Sequence, residues 1–283
     1  MKAMSLIATV AVLCAIVSLS MAADIFSSRD ELPAEEVLKQ EFHPGDRERF
    51  VQVDSAVWTA FLQQQPGFVS KVNLIPNNDT IANTTIYQLI HWSSYGLWKN
   101  ITWQEMQPVQ AQFVAELGYT PTLTPVPGDG NGFLLENYTG GVIEGSSMQE
   151  AFGGSDNGNV DTFEGPAVEI DMLNYHPGDQ LRLMMNDHAT YTAYLRKQPG
   201  FGSKHYLVPR NETLANTMLY VYIHWRSFKL WQFITPQDEA PSQAKFEMLM
   251  GYDPPFSFVP PGSQGFSPQN FTQGSNRSML FVV

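Results

Sequence analysis

The sequence predicts an α+β protein built from two ferredoxin-like β-α-β-β-α-β units, and two observations carry that prediction. The first is an internal repeat. Displaced by 133 residues, the chain matches itself without a gap from His43-Pro44-Gly45-Asp46 on His176-Pro177-Gly178-Asp179 to Gly132-Phe133 on Gly265-Phe266. About 40 of some 90 aligned residues are identical, and two copies of this length indicate duplicated domains rather than a solenoid of short units. The second observation is the order of periodicities, which runs strand, helix, strand, strand, helix, strand in each copy.

Each element follows from local chemistry. Val168-Glu169-Ile170-Asp171-Met172 alternates as a half-buried strand does, with Val37 to Phe42 its weaker counterpart. Pro44-Gly45-Asp46 and Pro177-Gly178-Asp179 supply a turn and a helix start, with the Asp as N-cap. Phe50, Val53, Val57 and Phe61 form the core stripe of the first helix, which Gln65-Pro66-Gly67 stops, as Gln198-Pro199-Gly200 stops its counterpart. Strands are expected over 68–75 and 84–92, and again over 201–208 and 217–225, each pair joined by an Asn-containing loop. A second helix over about 104–117, and 237–250 in the other copy, ends at Gly118 and Gly251. The final extended pieces, 119–126 and 252–259, contain prolines that suit an edge strand or an irregular arm. The two domains thus span 35–133 and 167–266. The Gly-, Ser- and Asp-rich stretch 134–166 reads as a linker, and 267–283 as a tail.

Residues 1–22 read as a secretory leader. Met1-Lys2 precedes an apolar run from Leu6 to about Leu19 and then Ser20-Met21-Ala22, a small-x-small cleavage pattern. The run is shorter than the roughly 20 residues a membrane span needs. Cleavage after Ala22 or Ala23 predicts a secreted chain that does not contact a membrane. It also removes Cys14, the one cysteine, so apolar burial rather than disulfides must hold the fold. Seven Asn-x-Ser/Thr sites, at Asn78, Asn83, Asn100, Asn137, Asn211, Asn270 and Asn276, predict N-glycosylation. Asn78 and Asn211 occupy equivalent places in the two copies, so that loop is expected at the surface twice. The formal net charge of −12, with no basic run, argues against nucleic acid as a partner.

The residues Asp54, Trp58-Thr59, Leu62, Pro66-Gly67-Phe68, Lys71, His91-Trp92, Ser94 and Trp98 resemble those of a small uncharacterised cyanobacterial family. That family is related to the antibiotic-biosynthesis-monooxygenase domains of the dimeric α+β barrel superfamily. The second copy keeps Asp187, Thr192, Leu195, Pro199-Gly200-Phe201, Lys204, His224-Trp225, Ser227 and Trp231, and departs at Tyr191, where the first copy has Trp58. The resemblance covers nearly all of each repeat. It implies that the two sheets lie face to face as an α+β barrel, here within one chain. A physical reason supports the pairing, since each domain's helices cover only one face of its sheet and the other apolar face must be covered too. Relatives of this kind include cofactor-free monooxygenases of polyphenolic compounds and haem-degrading enzymes, so the resemblance bears on fold more than on activity.

Alternation on the third strand places Ile86, Ile90 and Trp92 toward the helices and Tyr87, Leu89 and His91 toward the partner sheet. The second copy gives Leu219, Val221, Ile223 and Trp225 against Tyr220, Tyr222 and His224. A ligand cavity is expected between the sheets. Its acid-base candidates are Tyr87 with His91 and Tyr220 with His224, joined by Lys71 and Lys204 and lined by Leu89 and Tyr222. The structural alternative is that His91 and His224 are satisfied interface histidines. No metal is expected: the repeated histidines lack ligand spacing, and the Asp156 to Asp161 run does not match a calcium loop. No cofactor is expected either; haem held by His43 or His176 is the alternative, weighed against their role in a turn. Asp54 and Asp187 share a helix face with Trp58 and Tyr191, as a pocket-lining or a structural contact. Trp92, Trp98, Trp225 and Trp231 read as core anchors. No P-loop, dinucleotide fingerprint or Ser-His-Asp order is present. Three functions follow: a secreted protein binding an apolar or aromatic small molecule, a cofactor-independent monooxygenase of an aromatic substrate, or an extracellular structural or coat component.

Overall fold

Each half of the chain lays its elements down in the same order. The first half runs β1 (Ala34–Glu41), α1 (47–62), β2 (Phe68–Pro76), α2 (Asp79–Ala82), β3 (Thr85–Trp92), α3 (Tyr95–Lys99), α4 (Trp103–Leu117), β4 (Thr122–Val126) and β5 (Phe133–Gly140). The second runs β6 (Ala167–Asn174), α5 (180–195), β7 (Phe201–Pro209), α6 (Glu212–Ala215), β8 (Met218–Trp225), α7 (Phe228–Gln232), α8 (Pro236–Met250), β9 (Phe256–Phe258) and β10 (Phe266–Gln273). The computed structural model describes residues 30–140, 165–262 and 264–273. The leader, Cys14, the Asp156 to Asp161 run and Asn276 lie outside the described residues.

Eight antiparallel strands close into a barrel in the order β2-β3-β1-β5-β7-β8-β6-β10, with β10 returning to β2. Strands β4 and β9 lie outside this ring, paired with β1 and β6. On β1 the edge is divided: Val37 to Glu41 pair with β4, while Ala34 and Glu35 pair with β5. Strands β5 and β10 correct the expected linker and tail. Part of 134–166 forms β5 and part of 267–283 forms β10, and each pairs with a strand of the opposite half, β5 with β7 and β10 with β2. Neither partner is near in sequence, so local pattern does not announce the pairing. Closure leaves no open edge in the ring to pair with another chain.

The strands are buried on both faces. Inside the barrel Val37, Leu74, Tyr87, Leu89, Ile170, Leu207, Tyr220 and Tyr222 pack with Phe133 of β5 and Phe266 of β10 in one cluster. On the outer face Phe50 and Val57 of α1 meet Ile86 and Phe113, and α5 and α8 cover Val221, Ile223 and Trp225.

Helix α1 is an α-helix over Arg47–Asp54, a π-turn over Ser55–Thr59 and a last turn over Ala60–Leu62; α5 repeats this over Gln180–Asp187, His188–Thr192 and Ala193–Leu195. A π-turn spends an extra residue per turn and rotates the buried face. Asp54 and Thr59 are therefore buried, whereas Val53 and Phe61 of the expected stripe are only half-buried. The later helices are set by their caps. Thr102 with Glu105 and Thr235 with Asp238 form capping boxes, and Gly118 adopts φ 84° to end α4. Asp46 and Asp179 stand at the expected N-cap positions but make no capping hydrogen bond. Asp179 instead accepts one from Tyr252 Oη at 3.0 Å.

Candidate ligand sites on the two faces of the barrel

The residues singled out by strand alternation divide between the barrel interior and the helix side. Tyr87, Leu89 and His91 of β3, and Tyr220, Tyr222 and His224 of β8, are all buried, and the tyrosines and Leu89 belong to the interior cluster. Within each strand the tyrosine and histidine are four residues apart, about 13 Å at the rise of a strand, so they do not act on one atom as a pair. Tyr87 packs edge-on against Phe266 at 5.2 Å and Tyr220 against Phe133 at 5.0 Å, which makes them anchors for β10 and β5. Burial pushes the Tyr87 phenol up to about 12. These side chains belong to the cluster that packs the interior between the sheets.

The histidine end of the interior is polar and differs between the halves. His91 Nδ1 lies 2.5 Å from Glu35 Oε1. The equivalent of Glu35 is Val168, and the equivalent of Val72 is His205. His205 stacks on Tyr222 at 4.5 Å, and burial, followed by the nearby His91 and His224, holds its pKa down to about 3. His205 is therefore uncharged near neutral pH.

Lys71 and Lys204 stand on the opposite face, which corrects their expected place beside the tyrosine and histidine. Lys71 pairs with Ile90 in the ladder, and Lys204 with Ile223, both helix-facing positions. Lys71 Nζ donates to Asp54 at 2.7 and 2.8 Å, with both side chains 3% exposed. Lys204 Nζ donates to Asp187 at 2.5 Å, and Asp187 also accepts from Tyr206 Oη and from Thr192 Oγ1 at 3.1 Å. The π-turn that buries Asp54 and Asp187 is thus what brings them to the lysines. His43 and His176 stack on Tyr119 and Tyr252 at 3.8 and 4.0 Å. Among the described residues no group of three side chains is placed to hold a metal.

A cavity of about 370 Å³ opens between the sheet and the helices of the first half. Four tryptophans line it: Trp58 from α1, Trp92 from β3, Trp98 from α3 and Trp103 from α4. Trp92 and Trp98 are stacked with rings 10° from parallel, so two of the expected core anchors also form a wall. Trp98 approaches closely because Gly132, at φ 65°, carries no Cβ: one built there would meet the indole at 2.8 Å. Glu36 of β1 enters this apolar wall and accepts a hydrogen bond from Trp92 Nε1 at 3.4 Å. Burial raises its pKa to about 7, against the lowering effects of that hydrogen bond and of Lys99 and Lys71. Sequence reasoning passed over Glu36. The available signal was its place on β1, a strand whose two faces are both covered.

The equivalent cavity of the second half is smaller, about 150 Å³, and acidic. Glu169, Asp171 and Glu239 line it together with Tyr191 and Phe246. Trp225 Nε1 donates to Glu169 at 3.2 Å, as Trp92 does to Glu36. Burial raises the pKa values of Glu169 and Asp171, and for Asp171 the neighbouring Glu169 raises it further.

Solved structures share this architecture. A protein described as a "putative monooxygenase" from Lactobacillus acidophilus NCFM superposes with TM-score 0.52 at 8% identity, over 86% of this chain and 97% of its own. An "anthrone oxidase-like protein" gives 0.51 at 12% identity, over 87% and 97%. A "putative monooxygenase" from Fusobacterium nucleatum subsp. nucleatum ATCC 25586 gives 0.53 at 7% identity, over 86% and 94%. No protein-family model and no curated protein sequence matches the chain. The likeness runs through both halves of single neighbour chains and shows one thing about this protein: it has the α+β fold with a closed eight-stranded antiparallel barrel.

Proposed function

We propose that the protein binds a planar aromatic small molecule in the tryptophan-lined cavity of its first half. The observation that carries this reading is the combination of four indole walls with one half-buried carboxyl, Glu36, whose pKa is raised to about 7. Aromatic walls supply dispersion and stacking area, while a few polar groups, here Glu36 with Gln40, Gln88 and Lys99, fix orientation. The ligand class that suits Glu36 is an aromatic compound with an acidic O–H or C–H, whose proton the carboxylate accepts. The architecture behind the site reads as two ferredoxin-like units from a duplicated domain, in support of which each sheet segment runs β4-β1-β3-β2 or its counterpart. Export through the secretory pathway, with glycans on exposed sites such as Asn83 and Asn100, remains part of this reading.

A second reading, favoured by Glu36 and by the names of the structural neighbours, is cofactor-independent oxygenation of that ligand. Glu36 removes a proton from an activated ring methylene, and the resulting carbanion reacts with dioxygen. One oxygen atom remains as a carbonyl and the other leaves as water, so the methylene and one O2 balance the products.

The test is a fluorescence titration with hydroxylated polycyclic aromatics, with oxygen uptake followed in parallel. Binding that quenches tryptophan emission and weakens about tenfold or more in Trp58→Ala, roughly 1.4 kcal/mol, supports the site. Quenching that is the same in Trp58→Ala removes it. Oxygen uptake lost in Glu36→Gln with binding retained separates the enzyme from the binding protein.

A further inference from the structure

The sheet floor of the first cavity carries a row of amides that the second half lacks. Gln40 Nε2 donates to Gln88 Oε1 at 3.3 Å, and Gln88 Nε2 donates to Asn73 Oδ1 at 3.2 Å. The three come from β1, β3 and β2, and these residues are 6%, 2% and 3% exposed. Displaced by 133 residues, the same positions hold Leu173, Val221 and Tyr206. The other half thus builds the same sheet face with a leucine and a valine in place of Gln40 and Gln88, so the fold does not require these amides. Burying an amide costs free energy unless its hydrogen bonds are made. Gln88 stands in the middle of the row. Whichever way the row runs, its oxygen serves one neighbour and one N–H serves the other, which leaves its second N–H. Gln40 and Gln88 both line the cavity, and Asn73 is not among its walls.

Glu36 faces the same cavity from β1, opposite Ile90, while Gln88 stands opposite Leu38. The two are therefore diagonal neighbours, roughly 7–8 Å apart between Cα atoms. The lysines of the wall are engaged elsewhere, Lys71 by Asp54 and Lys99 by the Gly130 carbonyl at 2.9 Å. We propose that Gln88 makes this cavity selective for aromatic ligands with an acceptor oxygen on the ring frame, such as a keto or ether oxygen, which its remaining N–H holds while the rings lie against the indoles. The inference rests on the aromatic site proposed above and adds the polar group that the ligand must present. A plain hydrocarbon of the same shape leaves that N–H buried and unpaired, so the site rejects it by more than the hydrogen bond alone is worth. The second cavity, where Val221 takes this place, makes no such demand.

The experiment is equilibrium dialysis of the full chain against 9-fluorenone and against fluorene, planar frames of one shape that differ by a keto oxygen, each quantified by chromatography. Expected is about tenfold or more tighter binding of 9-fluorenone. Gln88→Val, which installs the second-half residue, should abolish that preference by loosening 9-fluorenone and not fluorene. Gln88→Met, of similar length and without an N–H, should do the same, and takes its place if Gln88→Val loses its near-ultraviolet circular dichroism. A structural role alone for Gln88 would weaken both ligands alike and keep the preference. Trp58→Ala should weaken both ligands and leave the preference intact. Equal binding of the two by the unaltered protein, or a preference that survives the Gln88 variants, overturns the inference while the aromatic site stands. Binding indifferent to Trp58→Ala overturns the aromatic site and this inference with it.

Discussion

Glu36, together with Glu169 and Asp171 of the second half, and His205 make stability follow pH in opposite directions. The Glu36 carboxyl is raised from 4.5 to about 7, so the folded state keeps a proton that the unfolded chain releases. Its contribution is full below pH 4.5 and is lost as pH rises through 7, an effect of up to about 3 kcal/mol. His205 is lowered from 6.5 to about 3, so its contribution is full above 6.5 and lost as pH falls toward 3. Urea unfolding across pH 3 to 8 should show both limbs. Glu36→Gln should lessen the upper limb, the rest of which belongs to Glu169 and Asp171, and His205→Val, which installs the first-half residue Val72, should flatten the lower. The buried pair Lys71 with Asp54 makes a further prediction. Lys71→Met leaves Asp54 buried without its cation and should cost about 3–5 kcal/mol in the same assay, whereas the double change Lys71→Met with Asp54→Leu should recover most of it.

At the scale of elements, what was legible follows from how local the determining chemistry is. Helix α4 was expected over about 104–117 and occupies Trp103–Leu117, because a capping box and a glycine at φ 84° define its ends within a few residues. Removing the cap by Thr102→Ala should cost about 1 kcal/mol, read as a lower denaturation midpoint with unchanged slope. The faces of β3 and β8 were also legible, since period-two alternation is a property of the strand alone. The π-turns of α1 and α5 were not: nothing in Ser55 to Thr59 demands a wider turn until Asp54 must reach Lys71 across the sheet. Strands β5 and β10 were missed for a related reason. Phe133-Leu134-Leu135-Glu136 and Phe266-Ser267-Pro268-Gln269 pair with edges that belong to the other half, so their strand character comes from partners far away in sequence.

For the whole molecule, closing the ring with β5 and β10 makes each half depend on the other. Light scattering should therefore report one chain per particle, near the 31.7 kDa of the full sequence less any leader and plus any glycan. Ending the chain at Gly265 removes β10, opens the β2 and β6 edges and uncovers Tyr87. That variant should bind a hydrophobic dye and self-associate, while a stable monomer would show that β10 is dispensable. The site obeys the same division between local and distant causes. Histidines and tyrosines on alternating strands could be placed on the inner face from sequence, but not the aromatic side chains that fill that face once two sheets meet. Glu36, Asp171 and Glu239 read as ordinary polar positions until helices cover them. By itself the sequence determined the repeat, the order of elements, the helix ends and the two faces of each strand, because these depend on neighbours within a few residues. Only the tertiary structure decided how the barrel closes and which face holds the cavities, because burial and charge at those residues depend on segments that lie far apart along the chain.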